Sequence, residues 1–121
     1  MPGTGEHYER IALNYLIRRG LKHVTSNYTC RKGEIDHIMM DKDTLVFVEV
    51  RFRKKNTHGS AAESITTSKK RKIICAAQSY LQSRQLWHLD ARFDVVAIDG
   101  KNRWYHRDSI HWFPSAFSPE P

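Results

Sequence analysis

The chain has 121 residues, the size of one domain with a single hydrophobic core, and its 40% apolar content with three Trp, five Tyr and five Phe excludes a disordered chain. A formal net charge of +7 and a pI near 9.6 make a polyanion, most simply nucleic acid, the expected partner. No apolar run approaches the roughly 20 residues that span a bilayer, and the opening MPGTGEHYER lacks a charged-then-apolar signal pattern, so no membrane association and a cytoplasmic location are expected.

Tyr8, Ile11, Ala12, Tyr15 and Leu16 fall at helical spacing, which predicts a helix from about Thr4 to Arg19, capped by Thr4 and ended by Gly20. A strand from Leu21 to Tyr28 follows, then a turn at Cys30 to Gly33. Two further strands are expected at Glu34–Met40 and Thr44–Arg53, and a loop at Asn56 to Ser60. Ile73, Ile74, Ala77, Tyr80 and Leu81 form the buried stripe of a second helix, about Thr67 to Arg84. Ala91 to Ile98 reads as a strand, Asp99 to Asn102 as a turn, and Arg103 to His106 as a short edge strand suited to self-association. The Pro-rich WFPSAFSPEP is expected to end as a short helix or loose coil. One domain over residues 1–113 with a flexible tail at 114–121 is the expected organisation. Cys30 and Cys75 are far apart in sequence and read as reduced thiols.

The order α-β-β-β-α-β describes an α/β protein, with helices set against one mixed sheet. The hairpin is antiparallel, and the strand after the second helix returns parallel to an earlier one by a right-handed crossover.

The stretch GEIDHIMMDKDTLVFVEVRFR, Gly33 to Arg53, carries the chemistry. Asp36, Glu49 and Arg51 interrupt strands otherwise rich in Ile, Val and Phe, where an unpaired carboxylate is costly. Alternation puts Glu49 and Arg51 on one face with Leu45 and Phe47, and Asp36 with Ile38 and Met40. A two-residue turn at Lys42-Asp43, or a four-residue turn from Asp41 to Thr44, pairs Met40 with Leu45 and Ile38 with Phe47. Asp36 then faces Glu49, and Glu34 faces Arg51. A three-residue turn would spoil this register without a compensating bulge. Directly opposed Cβ atoms lie about 4.5–5.5 Å apart, so two carboxylates there repel unless a cation intervenes or one keeps a proton.

Asp36 followed by Glu49-Val50-Arg51 resembles the Asp and E-x-K of the PD-(D/E)XK nuclease superfamily, whose fold is restriction-endonuclease-like. Gly5 and Glu9 are similar to the G-x-x-x-E that archaeal Holliday-junction resolvases carry on their first helix. Closer still, GEHYERIALNYLIRRG, GEIDHI, FVEVRFRK, GSAAESITTSKKRKI and RFDVVAI resemble the YraN family of uncharacterised bacterial proteins. These stretches cover most of residues 5–98.

The resemblance implies a metal-dependent endonuclease, with DNA expected ahead of RNA as its substrate and branched DNA in repair or recombination as a candidate. It implies Asp36, Glu49 and the Val50 carbonyl as ligands of Mg²⁺ or Mn²⁺, with Glu9 a further ligand, directly or through water. The product would be a hydrolysed phosphodiester. Resolvases of this fold act as dimers, so a homodimer is one expected form. Arg51 departs from the usual Lys. Arginine stays protonated and cannot act as a base, although it can brace a phosphate. Lys69 and Lys70 are the nearest substitutes, and a nucleic-acid-binding module without turnover is the alternative reading. A basic surface for an acidic protein partner is a third.

The basic runs assign Arg53, Lys54 and Lys55, and Lys69, Lys70, Arg71 and Lys72, to nucleic-acid binding; the plain alternative is solubility. Simple ion pairing is also open to the charged strand residues: Asp36 with Arg51, Glu49 with Arg53, and Glu34 with Arg51, the last being favoured for Glu34 over a place as a further acidic group at the site. Asp94 is assigned a structural role beside Arg92. His37 lies on the opposite face from Asp36 and makes a poor co-ligand. For Trp104, Tyr105, Trp112 and Phe113 a place in the core is favoured over stacking on bases.

Overall fold

A computed structural model describes residues 4–53, 65–99 and 109–119. The elements are α1 (Thr4–Arg18), β1 (Lys22–Cys30), β2 (Gly33–Asp41), β3 (Thr44–Arg53), α2 (Thr67–Ser83), β4 (Asp90–Asp99) and β5 (Ser109–Phe117). The strands form one five-stranded sheet in the order β1-β2-β3-β4-β5. Only the β3–β4 pair is parallel among the described strands, with α2 in the connection between them. This is the mixed α/β arrangement expected from the sequence. The expected loop at Asn56 to Ser60, the edge strand at Arg103 to His106, and Trp104 and Tyr105 lie outside the described residues.

Alternation along β3 sorts the core into two layers. Val46 and Val48 face α1, where they pack with Ala12, Leu16, Met39, Val96 and Ile98. Leu45 and Phe47 face α2, packing with Ile38, Ile73, Ala76, Ala77 and Tyr80. Helix α1 ends because Gly20 takes φ +101°, a left-handed value open to glycine. The Leu21 N–H then donates to the Leu16 carbonyl at 3.1 Å, and the Gly20 N–H to the Ile17 carbonyl at 3.0 Å, the Schellman pattern. Helix α2 starts at Thr66, whose hydroxyl accepts from the Lys69 N–H at 3.1 Å.

The C-terminal segment differs from expectation. Instead of a short helix or coil, Ser109–Phe117 forms β5 and pairs antiparallel with β4, so the strand runs through residue 113 into the expected tail. Pro114 is tolerated because β5 is an edge strand. The anchor is Asp94, which is fully buried. Its carboxylate accepts from the Trp112 indole at 2.9 Å, the Ser115 N–H at 2.9 Å and the Arg92 Nε at 3.0 Å. This is the structural role assigned to it beside Arg92. Trp112 and Phe113 pack against core clusters, as expected.

Gly33 marks a close approach. A Cβ there would sit 2.5 Å from the Lys72 carbonyl oxygen, so the β1–β2 turn rests directly on the backbone of α2. Gly33→Ala is expected to cost about 1–3 kcal/mol through overpacking, read as a lower urea midpoint with an unchanged slope.

Candidate active site

The β2–β3 hairpin turns through Lys42 and Asp43, and the expected register holds: Met40 opposes Leu45 and Ile38 opposes Phe47. The backbone pairing runs only as far as His37 and Val48. Beyond it the Asp36 carboxylate takes the place of the ladder, with Oδ2 accepting the Val50 N–H at 2.8 Å. β2 and β3 therefore fork at Asp36, and the fork is where the ionisable groups collect.

Glu49 sits on the α2 face of β3 and is only 5% exposed. Burial is the main reason its carboxyl is pushed up to about 8, and the neighbouring Asp36 charge adds to this. Asp36 also shares a hydrogen bond with it that favours the protonated form, while Lys69 and Arg51 offset part of the rise. The Lys69 ammonium, in the first turn of α2, stands 3.7 Å from Glu49 Oε2. Arg51 follows on the same strand face, and its Nε is buried with no hydrogen-bond partner among the described residues. Simple ion pairing does not account for these groups: among the described residues Asp36 makes no ion pair with Arg51, and Glu49 pairs with Lys69 rather than Arg53.

Glu9 reaches the same region from α1. Partial burial raises its carboxyl above the usual value, and Asp36, Glu34 and Glu6 push it further. Glu34 is thus one of the acidic neighbours of the site. The favoured Glu34–Arg51 pair does not form, because the ladder opens before reaching those positions. Among the described residues no three His, Cys, Asp or Glu side chains converge tightly enough to hold a metal ion by themselves. Gly5 has room for a Cβ, whose nearest neighbour would be the Glu9 carboxylate at 4.0 Å, so its pairing with Glu9 has no steric basis here.

His37 is buried on the opposite face, as expected, and its position ties α1 to β2. Its Nε2–H donates to the Glu9 carbonyl at 2.7 Å, and Nδ1 accepts from the Ser26 hydroxyl at 2.7 Å. Ser26 in turn accepts from His23 Nε2 at 2.7 Å. The acceptor role of His37 Nδ1 requires a neutral imidazole, and burial lowers the His37 pKa, which favours that form. The sequence offers only a hint of this, a His next to the candidate Asp.

The basic residues divide. Arg53 donates to Asp99 from Nε at 2.9 Å and a second nitrogen at 3.3 Å, so it is engaged in a two-point ion pair. Lys70 lies over the Phe117 ring, 5.8 Å from its centroid. Arg71 and Lys72 are exposed. Lys54 and Lys55 lie outside the described residues. Cys30 and Cys75 are free and half-buried. No helix among the described residues is long and apolar enough to cross a membrane.

Residues 8–98 match the uncharacterised protein family UPF0102. A UPF0102 protein of Pseudomonas fluorescens strain Pf0-1 is 44% identical over 115 residues, covering 94% of this chain and 92% of the relative. One from Photobacterium profundum is 49% identical over 111 residues, covering 90% and 85%. A third, from Nitrosococcus oceani, is 45% identical over 117 residues, covering 96% and 92%. At this identity and coverage the chain belongs to the uncharacterised protein family UPF0102, the YraN family that its motifs resemble.

Proposed function

We propose that this protein is a divalent-metal-dependent endonuclease that hydrolyses phosphodiester bonds in DNA, with branched or structured DNA as its substrate class. The observation that carries this is the Asp36–Glu49 pair. Two carboxylates share one fork, and one of them holds its proton to about pH 8. Two adjacent acids of this kind cannot both ionise without a cation.

The donor set fits Mg²⁺ or Mn²⁺. Such ions bind through one or two carboxylates and keep several waters and substrate phosphate oxygens as further ligands, so two converging acids among the described residues suffice. Asp36 keeps one carboxylate oxygen beyond its bond to Val50. The Val50 carbonyl is directed to the same side of β3 as its N–H, towards the fork. The chemistry a divalent cation supplies at such a site is charge neutralisation on the phosphate and acidification of water. Glu9 adds negative charge at the edge of the fork, while Lys69 and Arg51 supply the positive charge that a phosphate in transfer requires. Restriction-endonuclease-like chemistry is thus the reading that accounts for both the acids and the bases.

The reading of an inactive binding module draws on Arg51 standing where a lysine is usual. Lys69 weakens that reading, because it brings an ammonium to Glu49 from another element.

Mn²⁺ should raise the melting temperature of the wild type. At a hundredfold excess over Kd, a ligand bound only by the folded state stabilises it by about 2.7 kcal/mol. Forked, flapped and four-way DNA should be nicked under the same conditions. Asp36→Asn should lose both effects. Cleavage that survives Asp36→Asn, or melting indifferent to Mn²⁺, overturns the proposal.

A further inference from the structure

The turn after β1 carries Arg31 and Lys32, and both are exposed. It rests on α2 at Gly33, where a side chain would meet the Lys72 carbonyl. The result is a cleft of about 410 Å³ whose walls include Arg31 and Lys32 on one side and Lys69 and Lys72 on the other. Lys69 is also the residue 3.7 Å from Glu49, and Glu34, an acidic neighbour of Glu9, lies in the same lining. Lys69 and Glu34 therefore connect the lining of the cleft to the carboxylate fork. A second cavity of about 320 Å³ shares Arg31 and Lys32 and continues along α2 past Gln78 and Gln82. Lys69, Lys72, Ser79 and Gln82 follow one another at helical spacing, so a single stripe of α2 forms this wall.

The geometry points to this cleft as the track for one polynucleotide strand, held by its phosphates between the Arg31-Lys32 turn and the Lys69–Lys72 face of α2. Among the described residues, four cations and no aromatic side chain line the cleft. Recognition by these lining residues falls on the backbone charge, which is sequence-independent. At about 410 Å³ the cleft is the size of a small-ligand pocket rather than of a duplex groove, so a duplex engages it only where a strand is free. Glu34 repels phosphate, and its place in the lining marks the end of the track at the fork. The assignment deepens the endonuclease reading by naming how the strand arrives, but the binding itself does not depend on a metal.

The test measures binding of a labelled single-stranded DNA oligonucleotide, without metal, across a salt series. Arg31→Gln/Lys32→Gln is compared with Arg18→Gln/Lys22→Gln. The second pair removes the same charge near the far end of β1, roughly 25 Å away at the usual strand rise. The cleft variant should lose about tenfold in affinity at low salt, and its salt slope should become shallower by about 1.4, or 0.7 for each lost phosphate contact. The control should stay within twofold of wild type. Oligonucleotides of different base sequence should bind alike. The Mn²⁺-dependent rise in melting temperature should persist in the cleft variant, because Asp36 and Glu49 are untouched. Wild-type affinity in Arg31→Gln/Lys32→Gln, an equal loss in the control, or equal competition by oligoglutamate would overturn the assignment. Loss of the Mn²⁺ response in wild type with cleft-dependent binding retained would overturn the metal reading and still support the track.

Discussion

Glu49→Gln should make the metal-free protein more stable at alkaline pH. Most substitutions of a buried group destabilise, but Glu49 holds a carboxyl that the fold keeps from ionising. Its folded value of about 8 lies above the ordinary 4.5. The stability linked to its proton is therefore fully present below pH 4.5 and is lost as pH rises through about 8. Across that window the unfolded chain releases the proton first, so the wild-type melting temperature should decline as pH increases. A glutamine has nearly the same shape, carries no charge, and can donate to Asp36. At pH 8.5 the variant should exceed wild type by on the order of 1–3 kcal/mol, or roughly 4–15 °C for a domain of this size. Mn²⁺ should restore wild-type stability at that pH and have little effect on the variant. Calorimetry at pH 5 and pH 8.5, with and without Mn²⁺, reads all four values. A variant that melts below wild type at pH 8.5 would show that Glu49 is ionised and satisfied by Lys69 alone.

The parts of this architecture that depend on local pattern were legible in the sequence. Side-chain alternation along β3 groups Glu49 with Leu45 and Phe47, and the Lys42-Asp43 turn sets the register that brings Asp36 towards Glu49. Gly20 ends α1 as its backbone freedom predicts. The features that pattern does not reveal depend on contacts distant in sequence. β5 contains Pro114 and looks like a poor strand; it forms because Asp94 binds Trp112 and Ser115. The Glu34–Arg51 pair fails because the Asp36 side chain ends the ladder early, and no periodicity reports a side chain substituting for a backbone partner. Arg31 and Lys32 read as ordinary turn residues until Gly33 is seen lying against Lys72. In each case the decisive contact joins two elements, and pattern within either one is silent about it.

Lys69→Gln should reduce DNA cleavage by at least a hundredfold at saturating DNA, while Arg51→Lys should change it by only a few-fold. The two cations sit on different elements and have different chemistry. Arg51 is fixed on β3 beside Glu49, and a guanidinium cannot give up its proton in a protein. It can place charge against a phosphate, and its buried Nε, which has no partner among the described residues, is a donor left over for such a contact. Lys69 lies at the N-terminal end of α2, with its ammonium 3.7 Å from Glu49 and about one-third exposed. Of the two, only a lysine can both donate charge and exchange a proton with water, and a positioned acid or base contributes roughly 10²–10⁴-fold in rate. Lys69 also lowers the Glu49 pKa. Its loss should therefore move the Mn²⁺ response to higher pH as well as slow turnover. That pH shift separates a role at the carboxylates from simple loss of a phosphate contact, which would weaken binding and leave the pH dependence alone. If Lys69→Gln cleaves like wild type while Arg51→Gln does not, the working cation is on β3, and the lysine of α2 serves only to hold the strand.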